Sequence, residues 1–370
     1  MQIDLIATAA FGLEAVVARE LRMLGYEPAV SPDGGRLAFT ADLFGIARAN
    51  LWLRAADRVL LKMGSFPAAT FTELFEGTKS LPWPDWLPAD AACPVAAKCV
   101  RSRLMSVPDS QAIVKKAVVE SMKSRFGYER LPETGASFRI EVSLLRDMAT
   151  IALDTSGLGL HKRGYRTLSA PAPLKETLAA GLILLSRWRP GQAFLDPCCG
   201  SGTLPIEAAL IGLNIAPGIR RTFAAEAWPA VPAAAWIAAR EEAADLALPW
   251  QKLEIRGSDL DPEAVSLAGF HARRAGVGRE VSLRVLPAAA AALDGPGGVV
   301  VCNPPYGERI GESSKVEKLY RDLGRLYRAA PGWSFNILTA HPGFERLFGR
   351  RAGKRRKLYN GRIECRYYQY

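Results

Sequence analysis

The chain has 370 residues, of which 49% are apolar and 23% charged, which is enough for two or three globular domains, and no apolar run is long enough to span a membrane. The sequence shows no signal-peptide pattern and has six cysteines, which predicts a cytoplasmic protein with free thiols. No Cys-x-x-Cys pair occurs and there are only three histidines, which predicts that the protein has no zinc site. The formal net charge of +11 favours a polyanionic partner such as nucleic acid, although such a charge can also serve solubility alone.

The first 60 residues carry signals for a strand, a helix, two strands and a second helix. Apolar residues at helical spacing between Leu13 and Leu24 predict the first helix, which Gly25 ends. The strand precedes it over residues 3–8, and the second helix covers about 42–54. The two short strands lie within residues 29–40. This order is typical of a small α+β sandwich.

A second unit of mixed elements follows. Its predicted elements are a helix over 71–80, a strand over 95–100, an amphipathic helix over 109–126 and paired strands over 137–143 and 149–154. Residues 157–173 are rich in Gly, Pro, Lys and Arg, which predicts a basic linker.

From Leu174 onward, helices and strands alternate. Strands are predicted over 193–196, 253–258, 281–286, 298–302 and 334–339. Residues 356–365 form two more strands about Asn360-Gly361, because Asn-Gly is the strongest short hairpin signal. Five parallel strands and a closing hairpin predict a doubly wound α/β sheet with one antiparallel strand.

A glycine-rich loop follows the first strand of this sheet. Asp196 ends the strand, and Gly200 and Gly202 allow the backbone to turn sharply before a helix. The third glycine of a dinucleotide site is missing. Asp259 ends the next strand, where a carboxylate can accept hydrogen bonds from both hydroxyls of a ribose, whereas Asp261 is expected to cap a helix. Two acids without a phosphate-binding lysine suit a cationic nucleoside, and S-adenosylmethionine (SAM) is such a ligand.

The run Asn303-Pro304-Pro305-Tyr306-Gly307 follows the apolar strand over 298–302. The two prolines remove two backbone donors and restrict the residues before them, so we expect Asn303 to be extended at the carboxyl edge of the sheet. Ligands bind at this edge in open α/β sheets. An amide side chain, the Pro304 carbonyl and the Tyr306 ring suit a planar base with an exocyclic amine.

These motifs, in this order, resemble those of the class I amino-methyltransferases. Segments 9–14, 157–166 and 173–180 resemble the bacterial THUMP-domain RNA methyltransferases, within the branch related to the large-subunit rRNA guanine-N2 methyltransferases. The resemblance implies a ferredoxin-like domain over 1–62, an RNA-binding THUMP domain over 63–156, the linker over 157–173 and a Rossmann-like methyltransferase domain over 174–370. That last domain is expected to hold a seven-stranded sheet with an antiparallel closing hairpin.

The same resemblance implies the site residues. The expected cofactor set for SAM is Thr177, Asp196, Cys198, Gly200, Ser201, Gly202, Thr203, Asp259 and Leu260, and the expected catalytic set is Asn303, Pro304, Pro305 and Tyr306. The sequence departs from many such enzymes after the third strand, since residues 285–289 contain no acid to hold the cofactor adenine.

Three basic clusters are candidates for phosphate contact with RNA, most specifically 23S rRNA or its precursor. They are Lys115 and Lys116 on the helix over 109–126, Lys162, Arg163 and Arg166 around Tyr165 in the linker, and Arg355, Arg356 and Lys357 at the closing hairpin. Solvation alone is a competing explanation for the helix lysines.

The expected reaction is methyl transfer to a base amine, most specifically guanine N2. Asn303 Oδ1 and the Pro304 carbonyl are expected to accept the two N–H groups of the amine, while Tyr306 stacks on the base. Three alternatives stay open: N6 methylation of adenine in RNA or DNA, covalent cytosine chemistry through one of the cysteines near the pocket, and a non-catalytic RNA-binding assembly factor.

Overall fold

Within residues 1–31, 34–127, 132–168, 174–306 and 313–370, which the computed structural model describes, the chain forms two seven-stranded sheets. None of the helices in these ranges has the length and apolar character needed to cross a bilayer. The two sheets differ in strand order, and helices pack against both.

The first sheet has the strand order β2-β3-β1-β4-β7-β6-β5. Its strands are β1 (Ile3–Ala9), β2 (Ala29–Val30), β3 (Arg36–Ala41), β4 (Ala56–Pro67), β5 (Val95–Val100), β6 (Ile140–Leu145) and β7 (Met148–Asp154). Four helices pack with it: α1 (Glu14–Met23), α2 (Leu43–Trp52), α3 (Phe71–Lys79) and α4 (Val107–Phe126). The predicted helices are confirmed. Three of them begin with a residue whose side chain accepts a hydrogen bond from a backbone N–H of the first turn; these residues are Asp42, Thr70 and Ser106.

The long central strand β4 was not predicted. It pairs with β1 on one side and β7 on the other, so one continuous sheet crosses the expected domain boundary between residues 62 and 63. Val59, Leu60 and Leu61 in β4 are buried one after another, which hides the period-two alternation that marks a half-exposed strand. Strand β6 begins three residues later than expected, and the turn before β7 is at Arg146 and Asp147.

The second sheet has the order β10-β9-β8-β11-β12-β14-β13. Its strands are β8 (Ala193–Asp196), β9 (Ile255–Asp259), β10 (Val281–Val285), β11 (Gly298–Cys302), β12 (Trp333–Thr339), β13 (Lys354–Asn360) and β14 (Ile363–Gln369). The helices of this half are α5 (Glu176–Ser186), α6 (Thr203–Gly212), α7 (Ala233–Asp245), α8 (Pro262–Ala275), α9 (Ser313–Ala329) and α10 (Phe344–Phe348). β14 runs antiparallel to β12, which confirms the predicted closing hairpin.

The strand order reverses between β8 and β11, which are parallel neighbours at the middle of the second sheet. The chain proceeds from β8 through β9 to β10 on one side and from β11 to β12 on the other. In open sheets this topology leaves a crevice at the carboxyl ends of the strands. The ends of β8, β9 and β11 carry the predicted motifs, so the fold places all three at one edge.

The predicted linker is packed against its neighbours wherever the structure describes it, over residues 157–168. The Leu160 N–H donates to the Asp57 carbonyl at 2.8 Å, and Leu160 is buried. Arg221 donates to the carbonyls of Gly159 and Leu158 from the other side. The segment therefore holds the two sheets together. Residues 169–173 of the predicted linker, including Pro173, lie outside the described residues.

Candidate active site

The loop between β8 and α6 turns through two glycines in the left-handed region. Gly200 has φ +50° and Gly202 has φ +84°, and the Gly202 N–H donates to the Cys199 carbonyl at 2.8 Å. A Cβ on Gly202 would lie 2.8 Å from the Ala268 Cβ on α8. The loop therefore needs glycine at this position both for its backbone angle and for the close approach of α8.

Two carboxylates flank this loop. Asp196 is 1% exposed, and its Oδ1 accepts the Cys198 N–H at 3.0 Å. Asp259 accepts the Gly200 N–H at 2.8 Å and the Asp261 N–H at 3.1 Å, which fixes its side chain beside the loop. Burial raises the pKa of Asp196 well above its usual range, and the nearby Asp259 carboxylate adds to this effect. Among the described residues, no basic side chain forms an ion pair with Asp196.

The Asn-Pro-Pro-Tyr segment follows β11 and is held from two sides. The Tyr306 hydroxyl donates to Asn303 Oδ1 at 2.5 Å, and Asn360 Nδ2 on the closing hairpin donates to that hydroxyl at 3.4 Å. The Tyr320 hydroxyl on α9 donates to the Pro305 carbonyl at 2.8 Å. Burial raises the pKa of Tyr306, so its hydroxyl stays protonated and donates. Gly307 lies outside the described residues.

Sequence reasoning missed Tyr320 and Asn360. Tyr320 lies on α9 and also shares a hydrogen bond of 2.8 Å with Thr339 Oγ1 at the end of β12. Asn360 was interpreted only as a turn former. The buried tyrosine in an amphipathic helix resembles any core aromatic in the sequence, so no local signal could have marked its contact with the loop.

A cavity of about 490 Å³ opens beside these groups. Four predicted residues line it: Cys198, Asp259, Leu260 and Pro305. Its other walls come from Pro197, residues 287–289 and α9, where Val316 and Leu319 are apolar, Asp322 is acidic and Lys315 and Lys318 are basic. Asp322 Oδ1 accepts from Arg325 Nη1 at 2.8 Å, and the carboxyl group is largely buried. The cavity is thus lined by an acid from α9 as well as by the stretch in which the sequence lacks one.

Six of the nine predicted cofactor residues do not line this cavity, and three of these six make other contacts. Thr177 Oγ1 donates to Asp57 Oδ1 at 3.1 Å, Thr203 Oγ1 accepts from Arg166 at 2.6 Å, and the Ser201 carbonyl lies 3.2 Å from His271 Nδ1. These contacts anchor the glycine loop and the start of α5 to their surroundings. Cofactor contact stays a prediction for these three residues, as it does for the rest of the predicted set.

The predicted RNA contact is wrong for Arg163 and Tyr165, because both are buried. Arg163 is 3% exposed and donates to the Leu160 carbonyl at 2.8 Å and to the carboxylate of Glu207 at 3.4 Å, and the Tyr165 hydroxyl also donates to Glu207. Arg166 is largely buried and lies 3.6 Å from the carboxylate of Glu176. These side chains connect the segment after the first sheet to α5 and α6.

The other predicted RNA-binding cations are more accessible. Lys116, Lys162, Arg355 and Lys357 are exposed. Arg356 is half-buried and donates to the Gly12 carbonyl at 3.1 Å. Lys115 is also half-buried, donates to the Cys93 carbonyl at 3.0 Å and pairs with Glu133. RNA contact by this group stays a prediction.

Two of the three cysteines near the site, Cys199 and Cys302, are poor nucleophiles. Cys302 is fully buried at the end of β11, and burial raises the pKa of its thiol well above the usual value. Burial also raises the pKa of Cys199, with the charge of Asp196 adding to the shift. Since the thiolate is the reactive form, these two positions disfavour covalent cytosine chemistry.

Comparison with known families matches three consecutive parts of the chain. Residues 4–60 match the RlmL ferredoxin-like domain, residues 68–154 match the THUMP domain, and residues 163–369 match the RMKL-like methyltransferase domain. The matches agree with the two sheets, since the first two domains share one and the third holds the other.

Two relatives match almost the whole chain. A Bacillus subtilis protein, YpsC, named as a provisional RNA methyltransferase, is 48% identical over 99% of this chain and 95% of its own length. The ribosomal RNA large subunit methyltransferase K/L of Psychromonas ingrahamii is 36% identical over 96% of this chain. This chain spans about half of that relative, covering 48% of its length.

Two crystal structures share the fold over the full chain. One, named as a predicted N6-adenine-specific DNA methylase from Listeria monocytogenes, is 51% identical and covers 100% of this chain and 96% of its own, with a TM-score of 0.95. The other, a provisionally named methyltransferase in complex with S-adenosylhomocysteine, is 45% identical and covers 100% and 98%, with a TM-score of 0.94. The chain therefore belongs to the THUMP-containing, RMKL-like family of SAM-dependent RNA methyltransferases.

Proposed function

We propose that this protein transfers a methyl group from SAM to the exocyclic N2 amine of a guanine in 23S rRNA. The observation that carries the proposal is the position of Asn303, which directly follows β11 at the carboxyl edge of the sheet and lies two residues before Pro305 in the cavity wall. The name of the Psychromonas relative supports an rRNA substrate. The choice of guanine rests on the family resemblance.

The two carboxylates that flank the glycine-rich loop fit SAM. When bound, SAM supplies an electrophilic methyl group on a positively charged sulfur. Asp196 is buried without a cationic partner among the described residues, which suits the ammonium group of the cofactor. Asp259 has lone pairs left to accept the ribose hydroxyls, since each of its oxygens accepts only one backbone N–H in the structure.

The adenine of the cofactor would lie between Leu260 and the apolar residues of α9. Leu260 is 72% exposed, so its apolar side chain is available to contact a ligand, and it lines the cavity together with Val316 and Leu319. We assign Asp322 as the acceptor for the adenine amino group, in place of the acid that the sequence lacks over 285–289. Its side chain is already aligned by Arg325.

Asn303 and Pro304 would prepare the target amine for reaction. The lone pair of an exocyclic amine is delocalised into the base, so the amine is a weak nucleophile until its N–H groups are held out of the ring plane. Asn303 Oδ1 accepts the Tyr306 hydroxyl and keeps a second lone pair for the substrate. With the Pro304 carbonyl it would accept both N–H groups and direct the nitrogen lone pair outward. The proton lost from the nitrogen passes to water.

Transfer of labelled methyl groups to 23S rRNA from a deletion strain tests the proposal. We expect the wild-type protein to label one guanine at N2, identified by mass analysis of nucleosides. Asn303→Ala should reduce the rate by at least about 100-fold because it removes a positioned acceptor, while SAM affinity changes little. Activity of this variant near the wild-type level would overturn the assignment of Asn303.

The same experiment separates the alternative substrates. The name of the Listeria structure favours N6-adenine chemistry, which uses the same kind of exocyclic amine. N6-methyladenosine in rRNA or in DNA would replace the guanine proposal and leave the role of Asn303 unchanged. Absence of transfer to either nucleic acid, with rRNA binding retained, would favour an assembly factor.

A further inference from the structure

We propose that Phe11 and Tyr359 form an aromatic corner that stacks on an unpaired RNA base next to the target nucleotide. Phe11 comes from the first sheet's domain and Tyr359 from the closing hairpin, so the substrate site would be shared between the two halves of the chain. The proposal rests on the proposed function, since it concerns how the same site binds RNA.

The tip of the closing hairpin overhangs the catalytic edge. β14 is antiparallel to β12, and Thr339 at the end of β12 pairs with Arg366. The residues before Arg366, and those of β13 that pair with them, therefore extend beyond the carboxyl ends of the parallel strands. Asn360 at this tip contacts the Tyr306 hydroxyl at 3.4 Å. Tyr359 is its immediate neighbour.

Phe11 joins this tip from the loop between β1 and α1. Its ring centroid lies 5.8 Å from that of Tyr359, with an angle of 80° between the two planes. Phe11 nevertheless remains 57% exposed. Two rings at nearly right angles leave a concave corner, in which a planar base can stack on one ring and contact the edge of the other.

The loop that carries Phe11 is firmly anchored. Glu14 accepts the Gly12 N–H at 2.8 Å and the Gly35 N–H at 3.2 Å, and the Gly12 carbonyl accepts from Arg356 at 3.1 Å. Gly12 has φ +85°, and a Cβ there would lie 2.6 Å from the Lys357 carbonyl. The exposure of Phe11 is therefore a property of a well-ordered loop.

The surroundings of the corner favour RNA as its partner. The Lys357 ammonium lies 5.4 Å from the centroid of the Tyr359 ring. Arg356 anchors the loop that carries Phe11 through its hydrogen bond to the Gly12 carbonyl. A cation beside an exposed ring and a half-buried one is an arrangement that suits single-stranded nucleic acid, with the rings stacking on bases and the cation contacting phosphates. A target base that leaves its stack also leaves its neighbour unpaired, and that neighbour needs a surface to stack on.

Three variants test this role with 23S rRNA from a deletion strain as substrate. Phe11→Leu keeps an apolar side chain but loses the ring, and Phe11→Trp keeps a stacking surface. Trp250→Ala is the matched control, because Trp250 is 74% exposed and lies before β9, at the opposite edge of the sheet. The measurements are kcat and KM for RNA, the affinity for SAM and the melting temperature.

We expect Phe11→Leu to raise KM for RNA by about ten-fold with kcat, SAM affinity and melting temperature nearly unchanged. Phe11→Trp should restore KM, and Trp250→Ala should have no effect. An unchanged KM in Phe11→Leu would overturn the inference. Two other outcomes would also overturn it. An equal rise in KM for both Phe11 variants, with a lower melting temperature, would indicate that Phe11 only packs the loop. A changed oligomeric state would indicate that Phe11 forms a contact between copies of the chain.

A binding arm separates this inference from the proposed function. Fluorescence anisotropy with a short fluorescein-labelled oligouridylate reports stacking without chemistry. If the wild-type protein fails to methylate 23S rRNA, the proposed function fails, and weaker oligouridylate binding by Phe11→Leu than by Phe11→Trp still supports the aromatic corner. Equal binding by both variants would overturn it in either case.

Discussion

The segment after the first sheet and the closing hairpin look alike in sequence and differ in the folded protein. Each combines arginine or lysine residues with a tyrosine, and each was expected to contact RNA phosphates. In the first, Arg163 and Tyr165 are buried and bind Glu207. In the second, Arg355 and Lys357 are exposed and pair with carboxylates at the surface.

The difference teaches that the position of the partner decides what a basic cluster does. Glu207 is fully buried on α6, so its charge must be neutralised inside the protein, and Arg163 serves that purpose. The acidic partners of the hairpin, Glu345 and Glu364, are accessible to solvent. Surface ion pairs contribute little to stability and are weakened by salt, so RNA phosphates can replace them.

We expect the largest effect from a substitution that removes the buried ion pair between Arg163 and Glu207. Arg163→Met should lower the free energy of unfolding by about 3–5 kcal/mol, because it leaves Glu207 charged and unpaired in the interior. The matched control is Lys162→Met, one residue earlier and exposed, for which we expect a change within about 0.5 kcal/mol. Urea unfolding measures both.

The double variant Arg163→Met/Glu207→Leu sharpens this test. Removing both charges should recover much of the stability lost in the single variant, because no buried charge is left without a partner. Equal stability of Arg163→Met and Lys162→Met would contradict the structural role of Arg163.

The second effect concerns RNA affinity at the hairpin. Replacing Arg355 and Lys357 by alanine should weaken 23S rRNA binding by about ten-fold at low salt. It should also make the dependence of log K on log salt less steep by roughly 1.4, at about 0.7 per phosphate contact in single-stranded RNA. Filter binding over a salt series measures the slope. An unchanged slope would show that the hairpin, like Arg163, serves structure alone.

The smallest effect concerns Asp196, which is buried like Arg163 but has no charged partner among the described residues. Its raised pKa means that the carboxyl group is still protonated somewhat above the ordinary aspartate range. SAM affinity should therefore increase with pH as Asp196 loses its proton, and then level off. Equilibrium titrations of wild-type protein with SAM across pH measure this.

Two variants test whether Asp196, and no other titrating group, causes the pH dependence of SAM affinity. Asp196→Asn should bind SAM weakly at every pH, because it removes the titrating group. Asp261→Asn, at the exposed N-cap of α8, should keep the wild-type pH profile. A wild-type affinity that does not depend on pH would contradict the pairing of Asp196 with the cofactor ammonium.

Much of the second sheet was predictable, because its strands are short apolar runs separated by clear turn signals. Asp196, Asp259 and Asn303 could be assigned to one site because the carboxyl ends of parallel strands meet at one edge. Strand β4 escaped prediction since three successive residues of it, Val59 to Leu61, are buried and show no alternation. Asp322, Tyr320 and Asn360 escaped because helix and hairpin orientation depends on packing.

By itself, the sequence determined the order of elements in the second sheet, the closing hairpin and the three motifs at the catalytic edge, because local spacing and turn chemistry are written along the chain. Only the tertiary structure decided which charged residues face inward, which helix supplies the acid at the cavity and which loop brings Phe11 to Tyr359. Those outcomes depend on contacts between residues far apart in sequence, such as Arg163 with Glu207 and Gly12 with Arg356. No local pattern encodes such pairs, since burial is a property of the assembled core.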